Sequence, residues 1–320
     1  MKCGAMTKLH EKSKKKILIA GLGSIGKRYK RNFETYFKKF EIVDFKKYKN
    51  KKNPQKKIFA AIISNPTSHH IGTANQLVAK NIHCLIEKPL SLNFSGIKKL
   101  KKISKSKNLN IQVGYNLRFL EGGKFLKKKI INEKNKINHV IINCFSNLKN
   151  WRKNLNYKKF SSAYKHLNGG VVYELSHEID YLRWFFGEVD ELIALVENTK
   201  KLKLNISEVA TIFIKLRSGF TANINLSLIS KFEKRDCTIM TSKNIYKWDL
   251  LKDRIFRNDK LIFKSKNKDI NLTQIKQLKN FFNSIKKVEK PMVSLSDSIE
   301  TLKILLAIEK SSKLKKFIKL

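Results

Sequence analysis

One glycine-rich turn near the start limits what this chain can fold into more than any other feature. Ile17-Leu18-Ile19-Ala20 is a short apolar run, and Gly21-Leu22-Gly23-Ser24-Ile25-Gly26 follows it without a gap. A Lys/Arg-rich segment with helical spacing then continues through Phe40. Strand, tight turn and helix in that order give each glycine a task. Gly21 permits the turn, Gly23 lets the backbone approach a ligand, and Gly26 lets helix and strand pack closely. The first turn of a helix offers unpaired N–H groups and a partial positive charge. Gly21, Gly23, Ser24, Ile25 and Gly26 are therefore read as a cradle for the pyrophosphate of a dinucleotide.

The alternation continues. Residues 41–44, 58–64, 83–86 and 110–115 read as strands, with helices over 71–81 and 95–107 between them. Residues 58–64 are apolar on both faces, as in a buried parallel strand. The pattern predicts a doubly wound parallel sheet ending near Phe119. Asp44 closes the second strand, 18 residues after Gly26, where a carboxylate can accept hydrogen bonds from the adenosine ribose and favour NAD. Lys46 and Lys47 follow, and either could neutralise a 2′-phosphate, so NADP stays open.

After residue 119 the pattern changes to strands with few helices, over 139–145, 191–196, 209–216, 220–229, 237–241 and 245–250. Arg217-Ser218-Gly219 joins two of them as a hairpin turn. Amphipathic helices over 273–287 and 296–315 close the chain. The fold class expected is α/β: a Rossmann-type doubly wound domain over 1–119, with 1–15 as an unstructured leader, and an α+β domain with an open, mostly antiparallel sheet over 120–320.

A formal charge of +44 raises the question of a nucleic-acid or membrane partner. Of the 69 basic residues 60 are Lys and 9 are Arg, spread along the whole chain, whereas base and phosphate readout favours the Arg fork. The surplus of Lys, Asn and Ile resembles the codon bias of an AT-rich genome. No nucleic-acid partner is expected. The four cysteines lie far apart without metal-ligand spacing, so neither a disulfide framework nor a metal site is indicated. Residues 1–16 lack the apolar core of a secretory signal, and no segment reaches 18 uninterrupted apolar residues. A reduced, cytoplasmic setting without a membrane partner is expected.

Two motifs fall at the carboxyl edge of the predicted sheet, where such sheets bind ligands. Asn65-Pro66-Thr67-Ser68-His69-His70 follows the third strand, and Glu87-Lys88-Pro89 ends the fourth. With the glycine turn they resemble the Gfo/Idh/MocA oxidoreductases, the glucose-fructose oxidoreductase and inositol dehydrogenase group, which pair G-x-G-x-x-G with P-x-x-x-H and E-K-P. The likeness runs on through Gly114-Tyr115-Asn116-Leu117-Arg118-Phe119 and the stretch from Gly169 to Asp180. It implies cofactor contacts from Asn65, Pro66, Thr67, His70, Glu87 and Lys88, and a proton-transfer role for Lys88. His177 is the natural general base, since imidazole titrates near neutrality and oxidation of a carbinol must remove its O–H proton. Glu174 precedes it by three, so on one helix the two share a face and the carboxylate could orient the ring; Asp180 could do so from the other side. Many members place Asp four residues before the histidine, where this chain has Tyr173. Arg118 is read as an anion clamp or an interdomain bridge. Trp151, Arg152 and Tyr157, similar to a W-R-x-x-x-x-Y stretch in one branch, are read as substrate contacts suited to a pyranose or a phosphate.

The expected activity is NAD(P)-dependent hydride transfer to or from a secondary hydroxyl or ketone of a sugar or nucleotide-sugar, in surface-polysaccharide or related sugar metabolism, by a homodimer or homotetramer. A reductase of a non-sugar substrate, or a non-catalytic dinucleotide- or polyanion-binding protein, stands as the alternative.

Overall fold

The computed structural model describes residues 14–49, 58–152, 155–167, 169–267 and 269–320. The N-terminal sheet contains β1 (Lys15–Ala20), β2 (Phe40–Asp44), β3 (Ile58–Ile63), β4 (His83–Ile86) and β5 (Ile111–Val113), parallel throughout in the order β2-β1-β3-β4-β5. Its helices are α1 (Ser24–Tyr36), the short α2 (Phe45–Lys49), α3 (His70–Ala79) and α4 (Ile97–Ser106). β1 and β3 are buried along almost their whole length, which is why their sequences carry no polar alternation. The first helix does not run through Phe40 as its spacing suggested. It ends at Tyr36, and Phe40 opens β2. Phe33, Phe37 and Phe40 instead meet around Phe282, with the Phe40 and Phe282 rings stacked 4.5 Å apart, so tertiary packing uses the aromatic spacing.

A short connection leads through α5 (Glu121–Ile130) to the second sheet. Its strands are β6 (Ile137–Asn147), β7 (Val189–Glu197), β8 (Val209–Leu216), β9 (Thr221–Ser227), β10 (Ile229–Thr241), β11 (Ile245–Asp249), β12 (Arg254–Arg257), β13 (Lys260–Lys264) and β14 (Ile318–Lys319). The order is β13-β12-β11-β10-β6-β9-β8-β7-β14, antiparallel except for β6 against β9. The expected hairpin joins β8 and β9, and Gly219 adopts φ +98° within it. Between β6 and β7 the chain makes a run of short 3₁₀ turns and then α6 (Val171–Glu174) and α7 (His177–Phe186). It closes with α8 (Asn271–Ile285) and α9 (Leu295–Leu314), apart from β14 at the edge.

Burial shows where each helix belongs. One large core lies under the second sheet and takes in α6, α7 and the end of α9. A second fills the α3 and α4 face of the Rossmann sheet, with Val293, Leu295 and Leu302 from the C-terminal segment. A third covers the opposite face, where Ile275, Leu278, Phe281 and Phe282 of α8 pack with Ile17, Ile19, Tyr29 and Phe33. Thus α8, late in sequence, supplies half of one layer of the N-terminal fold. Among the described residues, no helix is long and apolar enough to cross a membrane. Phe281 is 0% exposed in that layer, so Phe281→Ala is expected to lower the unfolding free energy by about 3–5 kcal/mol in urea titration.

Candidate functional site

The glycine turn sits where β1 and β3 lie side by side while β2 is on the other flank of β1, the switch point at which doubly wound sheets open a crevice. The structure separates the three glycines. Gly21 has φ +99°, and a Cβ there would come 2.4 Å from the Asn65 nitrogen. A Cβ on Gly26 would come 1.8 Å from the Gly21 carbonyl oxygen. Both are demanded by the protein's own packing. A Cβ on Gly23 would meet nothing within 4 Å, so its bareness serves open space beside the backbone. Gly23 also caps α1 without any side-chain hydrogen bond, and the first turn of α1 carries no acid. Its N–H groups remain for a ligand, with Ser24 exposed at the end and Ile25 packed inward. These residues fit the pyrophosphate of a dinucleotide.

The Asn65 loop is tied to this turn. Ser64 Oγ donates to the Gly21 carbonyl at 2.8 Å, and Pro66 leads into a 3₁₀ turn over Thr67–His69 with Thr67 buried. Asn65 donates to Thr73 Oγ1 at 2.9 Å, and its Oδ1 has no partner among the described residues. His70 corrects the expectation of a cofactor contact. It is 1% exposed, with Nδ1 3.0 Å from the Pro89 carbonyl and Nε2 2.9 Å from the Asn65 carbonyl. It pins the Asn65 loop to the Glu87-Lys88-Pro89 loop, and burial pushes its pKa down to about 4. Glu87 is likewise a support. It accepts from Tyr29 Oη at 2.6 Å and from the Lys88 N–H at 3.3 Å, while Gln277 of α8 donates to Tyr29 Oη at 2.8 Å. Burial pushes the Glu87 carboxyl up.

Lys88 crosses from this loop to the second domain. Its Nζ donates to the Glu174 carbonyl at 2.8 Å and lies 3.9 Å from Glu174 Oε2. Glu174 ends α6 and His177 begins α7, so the two do not share one helical face. The Glu174 carboxylate faces Lys88 rather than orienting the imidazole, which corrects that part of the expectation. His177 stands edge-on to the buried Tyr115 ring at 5.6 Å, and its buried Nδ1 has no partner among the described residues. Burial, then the charges of Lys88 and Arg235, hold its pKa well below the usual imidazole value. His177 is therefore a neutral base next to an ammonium group. Sequence reasoning assigned no role to Tyr29, Gln277, Tyr115, Glu178 or Arg235; Tyr115 and Glu178, which fall in the Gly114–Phe119 and Gly169–Asp180 stretches, carried a local signal.

Three further expectations change. Asp180 does not turn toward His177 or a substrate: it is 1% exposed and grips Arg118 at 2.8 and 2.7 Å. Arg118, 3% exposed, also reaches Asp297 at 2.6 Å and the Met292 carbonyl at 3.2 Å, so it is the bridge and not a clamp for ligand anions. Trp151 gives its indole N–H to Ser146 and Tyr157 gives its hydroxyl to the Leu202 carbonyl, at 3.2 and 2.9 Å, so both anchor their own segment. Arg152 lies over the Phe160 ring at 4.3 Å. The turn Lys165–Leu167 of this segment packs on Thr67–His69. Asp44 accepts from the Lys46 N–H at 2.7 Å through Oδ1, which shapes the turn after β2. The Lys47 side chain lies outside the described residues.

Residues 10–115 match the model of an oxidoreductase family with an NAD-binding Rossmann fold, and residues 139–247 match the GFO/IDH/MocA C-terminal domain. This chain belongs to the Gfo/Idh/MocA family. Among solved structures, the WlbA dehydrogenase of Bordetella pertussis, in complex with NADH and UDP-GlcNAcA, superposes with a TM-score of 0.80 at 19% identity, covering 96% of this chain and 98% of that one. The myo-inositol 2-dehydrogenase of Lactobacillus plantarum gives 0.78 at 20% identity, covering 96% and 99%. In sequence, the 2,7-anhydro-N-acetylneuraminate hydratase of Escherichia coli is 23% identical over 144 residues, 44% of this chain. That match spans 37% of the length of the curated relative. Residues 10–115 of this Gfo/Idh/MocA chain are its NAD-binding domain. Among its described residues, no group of three or more His, Cys, Asp or Glu side chains could hold a metal ion.

Gly23→Ala is expected to leave the melting temperature unchanged and to weaken NAD binding in a calorimetric titration at least tenfold. Gly26→Ala, with no room for its methyl group, is expected to cost about 3 kcal/mol or more of stability. His70 supplies a pH signature. Below pH 6.5 the unfolded chain takes up a proton that the folded His70 refuses until about pH 4, so its contribution is full above 6.5 and is lost as pH falls. Between pH 7 and pH 4 the native protein should lose about 3 kcal/mol more unfolding free energy than His70→Gln, read by urea titration at each pH.

Proposed function

We propose that this chain catalyses NAD-dependent hydride transfer between the nicotinamide and a secondary hydroxyl or ketone of a sugar or nucleotide-sugar. The observation that carries this reading is the Lys88 bridge to the Glu174 carbonyl at 2.8 Å, which holds an ammonium from the Rossmann edge against the segment that bears His177 three residues on. When bound, NAD supplies the hydride acceptor. The residues of this chain supply the rest. Lys88 offers a positive charge to the carbinol oxygen and lowers the cost of its losing a proton. His177 can accept that proton because it is uncharged at neutral pH. Glu174 balances Lys88 and keeps it on the second domain's side of the crevice, and Asp44 stands at the end of β2 for the ribose. NADH and UDP-GlcNAcA in one structural relative, and inositol in the name of another, support a polyol substrate. Leu195 and Phe213, 54% and 38% exposed on neighbouring strands, suit self-association of the sheet as a homodimer or homotetramer.

Lys88→Ala is expected to retain NAD affinity and to lose at least about 100-fold in kcat with a sugar substrate, the usual worth of a positioned proton-transfer group. Undiminished turnover, read as NADH absorbance, would remove Lys88 from the reaction.

A further inference from the structure

Three arginines each grip a carboxylate on the side formed by Nε and Nη2. Arg118 holds Asp180 in this way and gives Nη1 to the Met292 carbonyl at 3.2 Å. Arg183 holds Glu188 and gives Nη1 to the Asp297 carbonyl at 2.8 Å and to Thr301 Oγ1 at 2.9 Å. Arg235 on β10 repeats the grip on the fully buried Glu178, at 2.8 and 3.1 Å. Its Nη1 has no acceptor among the described residues, and its side chain is 22% exposed against 4% and 3% for the other two.

A guanidinium has five N–H donors in one plane. Glu178 takes two, and the outer pair, one on each Nη, remains as a second fork whose spacing matches the oxygens of a carboxylate or phosphate. Arg235 also lines a cavity of about 250 Å³ walled by Leu117, Phe119, Leu120, Leu250 and Thr273. The acids on that wall are engaged. Glu121 pairs with Lys276 at 2.8 Å, Asp253 accepts from Trp248 Nε1 at 3.0 Å, and Asp269 accepts from the Asn271 N–H at 2.8 Å. Glu178 follows His177 in sequence, and the Arg235 charge is one of those that disfavour a proton on the candidate base.

We propose that Arg235 is a substrate-binding residue that receives an oxyanion of the sugar, a carboxylate or a phosphate, on its open Nη edge. The inference rests on reading the site as that of a sugar oxidoreductase and adds the group the substrate must carry. An anion bound there offsets the two cations beside His177 and raises the basicity of the imidazole when substrate is present. The net charge of +44 draws such substrates from a distance.

Calorimetric titration of the NAD-loaded protein with glucose, UDP-glucose and UDP-glucuronate reads binding without requiring turnover. In the native protein, at least one step is expected to gain tenfold or more: UDP-glucuronate over UDP-glucose if the edge takes a carboxylate, or UDP-glucose over glucose if it takes a phosphate. Arg235→Met is expected to erase about 10- to 100-fold of that gain, the worth of a hydrogen bond to a charged group, with NAD affinity unchanged. The double variant Glu178→Gln/Arg235→Met, which leaves no buried carboxylate without a counter-charge, is expected to show the same loss. The proposal is overturned if neither step gains in the native protein, if no anionic sugar binds, or if the gain survives in the double variant. Failure of the native protein to reduce NAD with any sugar that it binds would overturn the dehydrogenase reading alone, and the affinities would still report on Arg235.

Discussion

The hydrogen bond from Lys88 to the Glu174 carbonyl is the contact on which the site depends, because it is where the two halves of the molecule meet over the crevice. A lysine has four rotatable bonds, and holding it in one geometry costs side-chain entropy that a lone contact scarcely repays. The loop beneath it therefore has to be rigid. Gln277 and Tyr29 fix Glu87 from the α8 side, and His70 fixes Pro89 from the α3 side. On the opposite bank, Arg118 ties α7 to the connection after β5 through Asp180, one helical turn beyond His177. Lys88 and His177 are thus each placed by groups whose polar atoms bond to the protein itself.

The Arg118–Asp180 pair is buried on both sides, while Asp297 and Glu188 keep part of their carboxylates in water, and burial makes the first a poor source of stability. Removing two charges from water costs about as much as their attraction returns. What this network supplies is a geometry with few alternatives, since any other arrangement would leave the buried charge of Arg118, Arg183 or Asp180 without a partner. A hydrophobic interface between α7, α9 and the Asn116–Phe119 turn could be as strong and would tolerate sliding.

Features that depend on neighbours in sequence were legible, and features that depend on distant partners were not. The glycine turn, the buried strands and the β8–β9 hairpin all announce themselves locally, and so does the Glu87-Lys88-Pro89 motif. Helix α5 was missed because Gly122 and Gly123 weaken its pattern; they are there because a Cβ on Gly122 would strike Asp253 and one on Gly123 would strike Trp248. The β12–β13 hairpin turns on Asn258 and Asp259, both at positive φ, a pairing with weaker local signal than Asn-Gly. In the site, His70 and Glu87 were found by motif, and packing shows that the ring nitrogens of His70 are already spent on the Asn65 and Pro89 carbonyls. A sequence shows that a residue stands near a ligand edge, and only packing shows whether its polar atoms are already spent. Asp180, Trp151 and Tyr157 repeat that lesson, and packing decides between the two readings of Arg118.

The seating of α8 against β1 and α1 bears on how the chain acquires its shape. A vectorially synthesised protein is often pictured as completing its first domain before the second emerges. Here one side of the N-terminal sheet stays uncovered until a segment some 250 positions later has left the ribosome. The nascent half must therefore wait with Ile17, Ile19 and Phe33 exposed, or shield them on something else, so a chaperone's protection matters most for the part made first.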